Sequence, residues 1–121
     1  MGARQSTARC GSPRTCVVVT TWTRVCRLDD LSIDVPAAVT IDKIEVCLVR
    51  TCGSVFAVRD RCTHGDVPLS EGEVDRCAVE CWLHGSRFDL RSGSVLNPPA
   101  TKALQTFPVE LSDGWVTVGL P

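Results

Sequence analysis

Short apolar runs separated by turn residues follow one another along most of the chain. From residue 17 onward no segment repeats apolar positions at helical spacing over ten residues. Turn-forming pairs separate the runs, namely Asp42-Lys43, Cys52-Gly53, Ser92-Gly93 and Asp113-Gly114. The last of them is the strongest hairpin signal. The pattern predicts strands at residues 22–28, 37–41, 44–49, 55–59, 77–81, 87–90, 104–111 and 115–120.

The strand predicted over residues 104–111 contains a proline. Phe107 and Val109 alternate with Pro108 and Glu110, which gives the strand one apolar face that continues to Leu111. Proline cannot donate to a ladder, so we expect this strand at a sheet edge. Many short strands with regular turns predict an all-β domain, an antiparallel sandwich or barrel.

The chain of 121 residues is long enough for one domain. Residues 1–16 contain no acid and almost no large apolar side chain. They predict a disordered tail, with residues 17–121 as the folded domain. A mild likeness to a transit peptide and an over-long start of translation are alternative interpretations of the tail.

Charge is distributed unevenly along the sequence. Residues 1–27 carry five Arg and no acid, whereas residues 28–121 carry eight basic and fourteen acidic residues, a net charge of −6. Phosphate contacts need clustered Lys and Arg, so this balance argues against a nucleic-acid partner. No apolar run approaches the roughly 18 residues that cross a bilayer, so we expect no membrane span. The acidic body suits either docking onto a basic surface or simple solvation.

Both histidines of the chain stand beside a cysteine. The pattern is Cys62-x-His64, sixteen intervening residues, then Cys81-x-x-His84. Two thiolates and two imidazoles suit either zinc or a [2Fe-2S] cluster. Each loop supplies one Cys and one His, an order that is awkward for a zinc knuckle but suits two irons with different ligands. A zinc-stabilised Cys2His2 structural module is the alternative.

The chain has six further cysteines. Cys26 and Cys47 lie inside apolar runs, where a free cysteine behaves as a small hydrophobe. We interpret most of the six as reduced thiols of a cytoplasmic protein. The full set is Cys10, Cys16, Cys26, Cys47, Cys52 and Cys77.

The two Cys/His boxes resemble the cluster-binding boxes of Rieske proteins. The resemblance extends over residues 22–120, from the opening "WTRVCRLDDL" to Asn97-Pro98-Pro99, which is similar to the proline loop of that family. It implies an antiparallel β fold with two cluster-binding loops at one tip. It also implies a ligand set in which the cysteines hold the inner iron and the histidines the outer one, namely Cys62, Cys81, His64 and His84.

Two departures narrow the resemblance, namely the replaced disulfide and the expected absence of the membrane-anchoring helix that respiratory Rieske proteins have. Val67 and Leu83 stand where respiratory Rieske proteins join the loops by a disulfide. The chain therefore resembles the small Rieske ferredoxins, both those associated with SUF iron–sulfur assembly and those of aromatic-ring dioxygenase systems. The wording "ECWLHGSRFDLR" slightly favours the SUF group. The resemblance implies a monomeric one-electron carrier rather than an enzyme, with a reductase as donor and an oxygenase or SUF-type protein as acceptor.

Several residues beside the boxes are candidates for tuning the cluster. Ser86 and Phe88 occupy the positions of a serine and a tyrosine that donate hydrogen bonds to cluster sulfurs in high-potential relatives, and Pro98 lies in the shielding loop. Without the tyrosine we expect a midpoint of about −150 to +50 mV. In the alternative interpretation, Ser86 caps a backbone group and never meets the cluster.

Two surface features near the boxes are open to two interpretations each. Trp82 and Leu83 form either an apolar collar and docking surface or ordinary loop packing. The acidic stretch beside the first box either guides a basic partner or is a solvated loop. Its members are Asp66, Glu71, Glu73 and Asp75.

Overall fold

The computed structural model describes residues 7–9, 17–19 and 21–121. Short strands account for most of its regular structure, with 3₁₀ turns at Leu28–Asp30 and Leu69–Glu71. The strands are β1 (Thr7–Arg9), β2 (Val17–Val19), β3 (Thr21–Arg27), β4 (Ala37–Ile41), β5 (Ile44–Thr51), β6 (Ser54–Arg59), β7 (Glu73–Asp75), β8 (Ala78–Glu80), β9 (Arg87–Asp89), β10 (Thr106–Phe107), β11 (Val109–Ser112) and β12 (Trp115–Leu120).

Antiparallel sheets build the domain. Two of them form its body, in the strand orders β10-β6-β5-β4 and β11-β12-β3, and a third smaller sheet has the order β7-β8-β9. The all-β, antiparallel prediction is confirmed. In the described part of the chain, no helix approaches the length and apolar character that crossing a membrane requires.

Strand β5 is buried on both faces and separates two hydrophobic clusters. Val46 and Leu48 pack into the cluster between the two body sheets, whereas Cys47 and Val49 pack into the cluster that faces the β7–β9 sheet. Successive side chains of a strand point to opposite faces, which explains the unbroken apolar run. One strand therefore connects the body to the region that carries the Cys/His boxes.

The proline-containing segment divides into two strands at Pro108. β10 pairs with β6 and β11 pairs with β12, and each lies at the edge of its sheet, as predicted. The expectation of one apolar face is wrong at its end, since Phe107 is buried but Leu111 is 47% exposed. The segment passes from one sheet to the other, so a single alternating face cannot serve both.

Two-residue turns with positive φ at both positions close four hairpins. Type I′ turns of this kind match the twist of the flanking strands. Three of them are at pairs identified in the sequence, and the fourth, between β7 and β8, was not predicted. The pairs are Asp42-Lys43, Cys52-Gly53, Arg76-Cys77 and Asp113-Gly114.

A disulfide joins two of these turns. Cys52 of the β5–β6 turn is bonded to Cys77 of the β7–β8 turn, with their Cα atoms 5.9 Å apart. The interpretation of most of the six further cysteines as reduced thiols is wrong for this pair, because the fold brings two turns distant in sequence within bonding distance. Cys26 and Cys47 are free thiols, as expected.

The structure describes only part of the predicted N-terminal tail. Thr7–Arg9 pairs with Val17–Val19 in a short antiparallel ladder. The remainder of the predicted tail, residues 1–6 and 10–16 with Cys10 and Cys16, lies outside the described residues.

Candidate metal centre

The two Cys/His boxes lie on loops with the same backbone closure. In the first loop, Cys62 N–H donates to the Val67 carbonyl at 2.8 Å, and Asp66 N–H donates to the Cys62 carbonyl at 3.1 Å. In the second loop, Cys81 has the equivalent bonds with Ser86 and Gly85, at 2.8 and 3.0 Å. Each cysteine therefore begins a tight turn whose backbone groups are satisfied locally.

The loops bring the cysteines together inside and the histidines together outside. Cys62 and Cys81 are 3% and 1% exposed and belong to one buried cluster. His64 and His84 are both exposed, with ring centroids 5.3 Å apart and planes at 71°. The four residues predicted from the sequence thus converge as two pairs, a thiol pair and an imidazole pair.

Several groups act on the Cys81 thiol. Burial raises its pKa most, and a hydrogen bond with the Cys62 thiol, together with the charge of that group, raises it further. Backbone N–H groups of Leu83 and His84 act in the opposite direction, because they donate to the sulfur and favour the thiolate. The second loop therefore points amide donors at a sulfur that a cation would convert to thiolate.

The donor set fits a two-iron cluster. Two adjacent sulfurs and two adjacent imidazoles, separated into a buried and an exposed pair, correspond to the mixed Cys/His ligation of a Rieske-type centre. A zinc ion needs its ligands around one point. Within the described ranges, no three His, Cys, Asp or Glu side chains are grouped around such a point.

Leu83 of the second loop packs against the first loop. A Cβ atom at Gly65 would lie 2.8 Å from the Leu83 Cδ2 atom, so the approach depends on glycine. Leu83 and its neighbour Trp82 are still 37% and 53% exposed. Leu83 therefore approaches the other loop, and both side chains present apolar surface; the choice between a docking surface and ordinary packing stays a prediction.

A third segment, residues 97–102, holds both loops. The Asn97 amide donates to the Gly85 carbonyl at 2.9 Å and accepts from Arg87 N–H at 2.9 Å. Thr63 of the first box donates its hydroxyl to the Lys102 carbonyl at 2.7 Å. Sequence reasoning identified this segment by its prolines and missed the bridging role of Asn97, for which a side chain with both donor and acceptor was the available signal.

The three proposed tuning residues lie at different depths. Ser86 is fully buried, and its Oγ accepts a hydrogen bond from Ala100 N–H at 2.9 Å. As an acceptor there, the hydroxyl keeps its own proton for a further bond. Phe88 is fully buried in the same cluster as the two box cysteines, whereas Pro98 is exposed at a cis bond to Pro99.

The predicted acidic stretch is not uniform. Arg61 forms ion pairs with Asp66 at 2.7 Å and with Glu45 at 2.8 Å, so the charge of Asp66 is balanced. These bonds raise the pKa of the Arg61 guanidinium. The remaining members, Glu71, Glu73 and Asp75, are exposed.

One buried carboxylate near the boxes was not singled out from the sequence. Asp60, two residues before Cys62, is 6% exposed and accepts hydrogen bonds from the N–H and hydroxyl of Ser70, each at 2.7 Å. Nothing in the sequence distinguishes it from an ordinary loop acid.

Comparison with known proteins identifies similar chains. The ferredoxin subunit of 3-phenylpropionate/cinnamic acid dioxygenase from Photorhabdus laumondii is 46% identical over 77 residues, covering 61% of this chain and 73% of that protein. The anthranilate 1,2-dioxygenase ferredoxin subunit from Burkholderia cepacia is 33% identical over 99 residues, covering 82% of this chain and 92% of its own length.

Solved structures agree with the fold. The ferredoxin of carbazole 1,9a-dioxygenase from Nocardioides aromaticivorans superposes with a TM-score of 0.80 at 32% identity, covering 84% of this chain and all of that one. These relatives give the zinc alternative no support. Residues 21–108 match the family model of the Rieske [2Fe-2S] domain. The chain belongs to the Rieske [2Fe-2S] domain family.

Proposed function

We propose that this protein is the ferredoxin component of an aromatic-ring dioxygenase system. As a member of its family it carries a [2Fe-2S] cluster and transfers electrons rather than catalysing a reaction. The arrangement that supports the proposal is the side-by-side placement of His64 and His84 on the surface above two buried cysteines. A carrier needs one exposed edge through which an electron passes, with the rest of the group shielded.

In the proposed ligand set, Cys62 and Cys81 hold the inner iron, and His64 and His84 hold the outer one. When bound, the cluster accepts and returns one electron within the Rieske range of about −150 to +300 mV. The chain supplies two cysteine sulfurs inside the core and two imidazoles outside it. The imidazole edges form the shortest path to a partner.

Exposed apolar side chains next to His84 support a docking role. Trp82 is 53% and Leu83 37% exposed beside His84, and Leu96, 50% exposed, precedes the segment that holds both loops. Large exposed apolar side chains in one area are typical of interaction surfaces. We propose that this surface meets first a reductase and then an oxygenase, with the protein acting as a monomer in the cytoplasm.

The oxygenase is the acceptor that the relatives favour. The similar proteins described above are ferredoxin subunits of dioxygenases, and a solved complex contains the oxidised ferredoxin and reduced oxygenase of carbazole 1,9a-dioxygenase. None of the similar proteins described above is named as a SUF-associated protein.

Metal analysis and spectroscopy test the cluster assignment. We expect two irons and two acid-labile sulfides per chain, and an average g value below 2 in the EPR spectrum of the dithionite-reduced protein. One zinc per chain and no visible absorption would overturn the assignment.

Electron delivery tests the proposed partner. The reduced protein should support product formation by an aromatic-ring oxygenase component. Trp82→Ala should slow delivery while the visible spectrum is unchanged. Leu111→Ala is the matched control, because it removes a similarly exposed apolar side chain from β11 of the body. Equal rates for the two variants would show that Trp82 takes no part in docking.

A further inference from the structure

Asp60 is a buried carboxylate that electron transfer, as described above, does not use. It follows β6 directly and is 6% exposed. Both of its oxygens accept hydrogen bonds from one residue, Ser70: the backbone N–H binds Oδ1 and the hydroxyl binds Oδ2, each at 2.7 Å. An acceptor-only carboxylate anion satisfies this arrangement, since neither oxygen has to carry a proton.

The bonds to Ser70 close the first loop at its base. Asp60 and Ser70 lie on either side of Cys62 and His64, and the Asp60 N–H is itself anchored to the Glu45 carbonyl on β5 at 2.9 Å. The loop therefore leaves and re-enters the body at one fixed point. A rigid base of this kind holds the two proposed ligands of the loop in position.

Within residues 21–121, the negative charge of Asp60 is not balanced by an ion pair. Arg61, the next residue, binds Glu45 and Asp66 instead. Among residues 21–121, no Arg or Lys side chain forms an ion pair with Asp60. A buried, unneutralised charge acts over a longer distance than one in water, because the surrounding medium screens it weakly.

Asp60 adjoins the buried cluster that holds two of the proposed ligands, since its partner Ser70 follows Leu69 of that cluster. Cys47, on the strand that pairs with β6, is fully buried, and its pKa is raised by burial first and by the charge of the nearby Asp60 second. Cys47 belongs to the same buried cluster as Cys62 and Cys81. Asp60 and the two box cysteines are therefore all buried, and screening between buried groups is weak.

We propose that Asp60 is a positioning residue that closes the first loop and lowers the midpoint potential of the bound cluster through its buried charge. The proposal rests on the proposed cluster function. Reduction adds a negative charge, which a fixed negative charge nearby opposes, so the oxidised form is favoured. The effect is distinct from ligation and from hydrogen bonding to sulfur, because it acts through space.

Asp60→Asn tests the proposal with little change of shape. The amide can still bond Ser70 by accepting from the N–H and donating to the hydroxyl, while the charge is lost. Glu71→Gln is the matched control, since it removes the same charge from an exposed side chain next to Ser70. In voltammetry of the loaded proteins we expect the midpoint of Asp60→Asn to rise clearly more than that of Glu71→Gln, with the difference retained at high salt.

Ser70→Ala separates charge from loop closure. This variant keeps the Asp60 carboxylate and removes one of its hydrogen bonds. If the role of Asp60 is purely structural, Ser70→Ala should shift the midpoint in the same direction as Asp60→Asn. The charge model predicts that the midpoint of Ser70→Ala does not rise. A rise in both variants, or no rise in Asp60→Asn, overturns the proposal.

Two outcomes distinguish this proposal from the function on which it rests. If the parent protein holds no iron and no sulfide, the proposed function fails, whatever Asp60 does. If Asp60→Asn does not load, Asp60→Ser replaces it, because it lacks the charge and keeps a hydroxyl for Ser70. Failure of both charge-free variants to load, beside a loaded parent, would make the role of Asp60 structural alone and overturn its effect on the potential.

Discussion

The body sheets and the small β7–β9 sheet, which carries the second Cys/His box between β8 and β9, are held together in different ways. The body has long ladders, with eight residues in β5 and six in each of β6 and β12. The strands β7, β8 and β9 have three residues each. Strands this short bury little by themselves. The small sheet depends instead on its loops, on the Cys52–Cys77 disulfide and, when loaded, on the cluster.

The comparison shows that stability and function are separated along the chain. The body is stabilised by a continuous cluster of buried apolar side chains. The box region exposes two histidines and several apolar side chains at the proposed point of electron exit. These side chains therefore contribute little buried apolar area to stability. Cross-links replace that burial, and removing them one at a time should loosen the small sheet while the body remains folded.

Loss of a proposed ligand should have the largest effect. His84→Ala removes one imidazole, and Cys62→Ala removes one thiolate, so each should abolish cluster binding. Because metal binding is part of the folding free energy, amide hydrogen exchange should accelerate in β8 and β9 while β5 and β6 keep their protection. A normal visible spectrum in His84→Ala would show that the ligand set is wrong.

Removal of the disulfide should come next. The bond closes a loop with a sequence separation of 25, so the double variant Cys52→Ser/Cys77→Ser should lose about 3 kcal/mol of the free energy of unfolding. Denaturant unfolding measures the loss, and Cys26→Ser, at a free thiol of the body, is the control. Peptide mapping under non-reducing conditions should recover the linked pair, and its absence would contradict the bond.

Ser86→Ala should have a smaller effect on stability and a specific effect on the midpoint. It leaves the buried Ala100 N–H without its acceptor, at a cost of about 1–3 kcal/mol. If the hydroxyl proton donates to a cluster sulfur, its loss also lowers the midpoint. Ser94→Ala, in the hairpin that follows β9, is the control. A lower stability with an unchanged midpoint would restrict Ser86 to holding Ala100.

The smallest effect should be the acid sensitivity of β9. Burial alone would raise the pKa of Asp89, but hydrogen bonds and charge from Arg91 and the Ser92 N–H outweigh it and lower the pKa. The resulting stabilisation is present above the unfolded value of about 3.9 and is lost as pH falls through the folded value.

Asp89→Asn should therefore be slightly less stable than the parent at pH 7, and the difference should shrink below about pH 4. Denaturant unfolding at several pH values measures this, with Glu73→Gln as an exposed control on β7. A difference between Asp89→Asn and the parent that is constant from pH 7 to pH 3 would contradict the assignment.

Local sequence signals were sufficient for much of the body. Strands β4 and β12 lie where alternation and turn chemistry placed them, and Pro108 marks a sheet edge as expected. β7 was missed because Glu-Val-Asp offers no apolar alternation and two of its three residues are acids. Its pairing with β8 depends on the Arg76-Cys77 turn, whose positive φ values are unusual for these residue types.

Part of the candidate site could be predicted from the sequence because its ligand candidates are rare residues at recognisable spacing. The contacts around these ligand candidates could not be predicted, because each contact joins positions that only the fold brings together. Ser86 meets Ala100, Thr63 meets Lys102, and Cys52 meets Cys77. Asp60 was overlooked for the same reason, since an acid in a loop gives no sign of burial before its environment is known.

The Cys52–Cys77 bond also decides what happens when the backbone is cut. The first box and the exposed residues Glu71 and Glu73 lie inside the ring that the bond closes. A protease that cleaves one peptide bond within this ring leaves both fragments covalently joined. The nicked protein therefore keeps its mass except for one added water, and its two pieces separate on a gel only after reduction. Damage at the exposed tip would then escape detection unless a reductant is present.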